Sequence, residues 1–97
     1  MKVELKKFGN ILISRSAGRE ALAAFQASLQ PKSADENLEI DFTGVITFSP
    51  SWGDEFLSPL QKQFGDRLIL INIANNPSVV ESLKIIERAI KMSFKVV

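Results

Sequence analysis

The spacing of apolar residues changes period several times along this chain, and each change predicts an element. Val3-Glu4-Leu5-Lys6 alternates apolar and polar, which predicts a strand with one wet face. Lys7-Phe8-Gly9-Asn10 reads as a turn, because Gly9 and Asn10 tolerate positive φ. Ile11-Leu12-Ile13 follows as a second strand, so the two can form a hairpin. The period then lengthens. Leu22, Phe25 and Leu29 recur at helical spacing, backed by Ala21 and Ala24, after Ser14 or Ser16 as a cap. Pro31 is expected to end this helix, since the residue before a proline leaves the helical region. Residues 32–37 read as a polar loop.

The second half continues the alternation of strands and helices. Leu38-Glu39-Ile40-Asp41-Phe42 predicts a strand, Thr43-Gly44 a turn, and Val45-Ile46-Thr47-Phe48 a further β-prone run stopped by Ser49-Pro50. Ser51 is expected to cap the next helix, with Trp52, Phe56, Leu60 and Phe64 every four residues and Leu57 widening the stripe. Pro59 lies inside it and should kink it near Glu55. Gly65-Asp66 closes it. Leu68-Ile69-Leu70-Ile71-Asn72-Ile73 is almost unbroken apolar, as in a central parallel strand. Asn76 as cap and Pro77 as first helical residue start the last helix, which buries Val79, Leu83, Ile86 and Ile90. Residues 92–97 are a frayed end or a short last strand. The order β-β-α-β-α-β-α predicts an α/β domain with parallel β-α-β units.

Composition narrows the chemistry. With 97 residues the chain is expected to form one domain, residues 1–97, without a deep interdomain cleft. It has no Cys, no His and no Tyr, which removes disulfides, thiol nucleophiles, an imidazole base and the usual zinc ligands. Twelve Lys and Arg against eleven Asp and Glu give a net charge of +1, too little for nonspecific nucleic-acid binding. The longest apolar run is far below the ~20 residues of a membrane span. We therefore expect a complete cytoplasmic protein that is not an enzyme, needs no cofactor or metal, and engages neither nucleic acid nor membrane.

The most distinctive residues are Leu38-Glu39-Ile40-Asp41-Phe42-Thr43-Gly44-Val45 and Ser51-Trp52-Gly53-Asp54-Glu55-Phe56, with Ser14-Arg15-Ser16 and Gly18-Arg19 upstream. Across residues 11–90 this resembles the STAS-like family of small bacterial domains, related to the STAS domains of anti-sigma factor antagonists and sulfate transporters. The resemblance implies a STAS-like mixed sheet of four to five strands with about three helices. In the antagonist branch an Asp-Ser-Ser-Gly segment joins the equivalent strand and helix. Its first serine is phosphorylated by a kinase with a histidine-kinase-like ATPase fold. An ungapped match puts Ser49 at the Asp, Pro50 at the acceptor, Ser51 at the second serine and Trp52 at the Gly, so this chain departs from the pattern at the acceptor itself.

Several residues carry two readings each. Ser51 is a helix cap or a phosphosite, since a phosphate at a helix start meets free amides. Asp54 and Glu55 point ~100° apart on a helix and do not converge on one atom. They complement the helix dipole and pair with Arg15 or Arg19; an Asp-Glu at this place is part of the STAS-like pattern, and that resemblance implies a bridge between two helix starts. Arg15 and Arg19, four apart, could alternatively hold an anion such as a nucleotide phosphate. Trp52 and Phe48 are core residues or interface anchors. Asp41 is expected to hydrogen-bond the Thr43-Gly44 turn.

Together these lead to a regulatory protein-protein interaction module. Its expected docking surface is Phe48, Ser49, Ser51, Trp52, Asp54 and Glu55, with Phe48 and Trp52 giving apolar contact and Ser49 or Ser51 the phosphosite. The resemblance implies a histidine-kinase-like ATPase partner. The alternative is a domain sensing a nucleotide or other anion through Arg15 and Arg19. A homodimer through a sheet edge is compatible with either.

Overall fold

The computed structural model describes residues 1–29 and 36–97. Pro31 and most of the expected polar loop fall outside the described residues. The elements are β1 (Lys2–Glu4), β2 (Ile11–Leu12), α1 (Arg15–Ser28), β3 (Leu38–Asp41), β4 (Thr47–Phe48), α2 (Pro50–Phe64), β5 (Leu68–Ile71), α3 (Pro77–Ile90) and β6 (Lys95–Val96). Single 3-10 turns cover Leu5–Phe8 and Gly65–Arg67. The α/β class is the one the hydrophobic pattern predicts, and the order of elements agrees with it roughly: β4 is added between β3 and α2, and the final residues form a strand.

Strands β1, β3, β5 and β6 make one sheet in that order, and β2 and β4 make a second, two-stranded sheet. Every pairing is parallel. The expected hairpin of the first two strands is therefore absent among the described residues. Alternation persists through Leu5, but the backbone leaves the strand at Glu4. The 3-10 turn that follows closes with Gly9 N–H donating to the Lys6 carbonyl at 3.0 Å. Gly9 takes φ +125°, open to glycine and strained for other residues. The turn carries the chain from one sheet to the other instead of reversing it. Val3 then lies beside Ile40, and Leu12 beside Phe48, each apolar side chain on the covered face.

In the main sheet each connection steps in the same direction. Right-handed crossovers therefore place all three helices on one face. Val3, Ile40 and Leu70 form the row under the helices, while Lys2, Glu39, Ile69 and Lys95 form a row on the other face. Ile69 is flanked by Glu39 and Lys95, whose stems limit its contact with water. The apolar run of β5 thus reflects a central position in a sheet covered by helices on one side only.

The helices bury their expected stripes. Trp52, Phe56, Leu57, Leu60 and Phe64 of α2 are buried, as are Val79, Leu83 and Ile86 of α3. In α1, Gly18, Ala21 and Phe25 are buried, and Leu22 and Leu29 pack at the margin. An aromatic cluster fills the centre: Trp52 stacks on Phe56 with ring centroids 5.0 Å apart, and Phe48 meets Trp52 edge-on at 5.8 Å. Helix α2 continues through Pro59 to Phe64, and the proline removes only the donor to the Glu55 carbonyl.

Candidate functional site

The starts of α1 and α2 come together, and most of the sequence-derived candidates gather there. Ser14 caps α1, its Oγ accepting from the Ala17 N–H at 3.1 Å. Helix α2 is capped by Ser49, whose Oγ accepts from the Trp52 N–H at 3.2 Å, and Pro50 is its first residue. This corrects the expectation for Ser51, which occupies the second helical position. Ser49-Pro50 both ends the strand and starts the helix, because a proline at the first position has no amide left unpaired and already holds a helical φ. The shift also moves Asp54 and Glu55 out of the first turn, where a dipole contribution would be felt.

Those two acids instead bind the arginines of the neighbouring helix. Arg15 Nη1 donates to Asp54 Oδ2 at 3.0 Å and to Glu55 Oε1 at 3.1 Å, and Arg19 Nη2 reaches Glu55 Oε1 at 3.2 Å. Ser58 Oγ donates to the other Asp54 oxygen at 2.7 Å. The hydrogen bond from Ser58, then that from Arg15, holds the Asp54 carboxyl below its ordinary range. Bonds from Arg19 and then Arg15 do the same for Glu55, and the two carboxylates raise Arg15 in turn. The four charges form a bridge between the two helix starts. Beneath it the backbones nearly touch: a Cβ on Gly18 would stand 2.6 Å from the Trp52 carbonyl oxygen.

Phe48 and Trp52 are each only 1% exposed. Their expected role as apolar contacts for a partner is corrected on that ground, since neither ring reaches the surface. Both belong to the aromatic core. Ser49 is half-buried and doubly used, since its Oγ also donates to the Ile13 carbonyl at 2.6 Å and so ties β2 to α2. Ser51 is half-buried and makes no side-chain hydrogen bond among the described residues. It is the hydroxyl of the pair not already engaged.

The surface around this helix start has an apolar component that the sequence reading missed. Ile11, Ile13 and Ile46 are 59%, 51% and 61% exposed. The strands that carry them run side by side, since Ile46 N–H donates to the Asn10 carbonyl at 2.8 Å and Ser49 N–H to the Leu12 carbonyl at 2.9 Å. Ile11-Leu12-Ile13 is apolar throughout, so its pattern alone does not separate an inner from an outer face. Leu12 is buried, so the isoleucines on either side must face outward. On the opposite edge of β4, Ser78 and Ser82 of α3 take over the ladder. Phe48 N–H donates to Ser78 Oγ at 3.2 Å, and Ser82 Oγ donates to the Phe48 carbonyl at 2.6 Å.

A second polar centre lies at the end of β3. Asp41 is 4% exposed, and its Oδ1 accepts from Thr43 N–H at 2.9 Å, Thr43 Oγ1 at 2.7 Å and Asn72 Nδ2 at 2.8 Å. Lys2 Nζ lies 3.4 Å from Oδ2. Burial alone would raise this carboxyl. The bonds from Asn72 and Thr43 together with Lys2 outweigh burial and hold it well below the usual carboxylate range. Asp41 thus ties the Thr43-Gly44 turn to Asn72 after β5, as its place in the strand suggests. The adjoining cleft of about 390 Å³ is lined by Phe42, Thr43, Asn72 and Asn75 among others.

No helix among the described residues is long and apolar enough to cross a membrane. Compared with protein-family models, curated proteins and solved structures, the chain matches none.

Proposed function

We propose that this chain is a STAS-like, non-catalytic interaction module that docks on a protein partner through the joined starts of α1 and α2 and the adjoining β2–β4 strip. The observation that carries the proposal is that Ile11, Ile13 and Ile46, all more than half exposed, lie on the paired β2–β4 stretch that leads into the helix starts joined by the Arg15-Arg19-Asp54-Glu55 bridge. Apolar contacts at the centre of such a surface supply the attraction, and the charges at its rim set orientation. The apolar contribution is thereby moved from Phe48 and Trp52 to the three isoleucines. Ser49, Ser51, Asp54 and Glu55 keep their place in the surface.

The resemblance of the strand-turn-helix segment to STAS-like domains makes a histidine-kinase-like ATPase the partner of choice. Ser51 is the preferred phosphosite over Ser49, because Ser49 holds the helix cap. A phosphate on Ser51 would add about −1.5 to −2 charges close to Asp54 and Glu55. That repulsion favours release. Anion sensing through Arg15 and Arg19 is the weaker reading, since both guanidinium groups already bind carboxylates.

The test is affinity capture from the chain's own host. The wild-type protein should retain a histidine-kinase-like ATPase, and Ser51→Glu should retain less of it. Recovery of no protein partner, or equal recovery by the doubly substituted Ile13→Lys/Ile46→Lys form, would overturn the proposal.

A further inference from the structure

The charges are unevenly shared along the chain. Residues 84–97 carry four cationic side chains, Lys84, Arg88, Lys91 and Lys95, against one acidic side chain, Glu87. Elsewhere, Lys2, Lys6, Arg15 and Arg19 each have an acidic partner, while Lys7, Lys62 and Arg67, scattered over the chain, form no ion pair among the described residues. None of the four in this segment has an ion-pair partner among the described residues. Glu87, the acid inside the group, is engaged by the Phe94 N–H at 2.7 Å. Glu81 lies one turn before Lys84 and is the only other acid on α3.

Lys84 and Arg88, four residues apart, share one face of α3, and Lys91, three residues further, is the left-handed residue that ends the helix. Along the axis they span ~10 Å at ~1.5 Å per residue. They line an open hollow of about 640 Å³, together with Glu87, Met92 and Ser93. The helices return antiparallel to the strands, so this hollow lies at the opposite end of the sheet from the starts of α1 and α2. Cations in the last helical turn complement the helix dipole. That accounts for Arg88, but not for Lys84 two turns from the end or for Lys95 in the following strand.

We infer that this basic face is a second docking site, for an acidic segment of a protein partner. Carboxylates spaced along a helix or an extended strand can match the ~10 Å row of cations. Two alternatives fit less well. The exposed large hydrophobic side chains include no aromatic on which a nucleic-acid base could stack. The apolar face of α3 is buried in the core through Val79, Leu83 and Ile86, so the helix cannot lay that face into a bilayer.

The experiment is titration of the full chain with octaglutamate, followed by backbone amide shifts in NMR. Shifts should concentrate on residues 84–95. Affinity should fall roughly tenfold when salt rises from about 50 to about 300 mM, since exposed charge pairs are screened. The triple substitution Lys84→Glu/Arg88→Glu/Lys91→Glu should abolish binding, while Lys62→Glu, an exposed cation on α2, should leave it unchanged. If the triple variant fails to fold, Arg88→Gln and Lys91→Gln should each weaken binding at least about threefold. Shifts scattered over cations throughout the chain would overturn the inference. So would retained binding in the substituted forms, or saturation of these residues by duplex DNA or phosphatidylserine vesicles but not by octaglutamate.

Discussion

Replacing Ser49 by alanine removes two interactions at once. The Oγ caps α2 by accepting from the Trp52 N–H, and it donates to the Ile13 carbonyl at 2.6 Å. Loss of a serine cap costs ~0.5–2 kcal/mol, typically ~1. The second bond adds at most ~0.5–1 kcal/mol, because Ile13 is half exposed and water can replace the hydroxyl at its carbonyl. The expected total is ~1–2 kcal/mol. For a chain of this length that is a fall in Tm of ~4–8 °C for each kcal/mol. Ser51→Ala should change stability by less than ~0.5 kcal/mol, since the side chain makes no bond to lose and alanine is the better helix former. Ser49→Asp separates the two contributions: an aspartate can cap but cannot donate to Ile13, so it should recover most of the loss. Urea unfolding of the three variants, with midpoint and slope fitted together, measures this. The reasoning is refuted if Ser51→Ala costs more than Ser49→Ala, or if Ser49→Ala is neutral.

Other consequences can be checked with the same assay. Gly18→Ala gains ~1 kcal/mol of helix propensity but drives a methyl group into the Trp52 carbonyl, a backbone contact that no rotamer relieves; overpacking of ~1–3 kcal/mol should win, and a raised urea midpoint would contradict it. Asp41 is depressed in the folded state, so its contribution is complete above the unfolded carboxylate value near ~4 and declines as the pH falls below it. Asp41→Asn should therefore be less stable at pH ~7 and should flatten the acid side of the stability-pH curve; an unchanged acid limb would show that Asp41 is not the group responsible. The Arg15 and Arg19 bridge is largely exposed, so Arg15→Ala should lower the urea midpoint only slightly, and less still in high salt; a large loss, insensitive to salt, would point to packing instead.

The sequence made the helices and the central strand legible because their signals are local. Asn76-Pro77 marks the start of α3, and the four-residue repeat from Trp52 to Phe64 marks α2. The pairing of the first two strands was not legible. A turn-like Gly9-Asn10 between short apolar runs suits a hairpin, and only long-range partners decide otherwise: Ile40 beside Val3, and Phe48 beside Leu12. The cap of α2 was misplaced by two residues for a chemical reason. Ser49-Pro50 carries a strand stop and a helix start in the same two residues. Within the candidate site, the ion bridge followed from complementary charges at two helix starts. Phe48 and Trp52 could not be assigned from sequence, because an aromatic beside a loop is equally suited to core and rim until the neighbouring helices are placed. The exposed isoleucines were hidden for the opposite reason, since an Ile-Leu-Ile run reads as buried when its strand belongs to a two-stranded strip.

The most direct measurement of the proposed docking surface is amide hydrogen exchange of the chain, alone and bound to whichever protein partner the affinity capture recovers. Slower exchange in the complex should be confined to residues 10–15 and 45–55, and should disappear with Ile13→Lys/Ile46→Lys while the unbound variant keeps its core protection. Protection confined to the α3 end, or none at residues 10–15 and 45–55, would contradict the account.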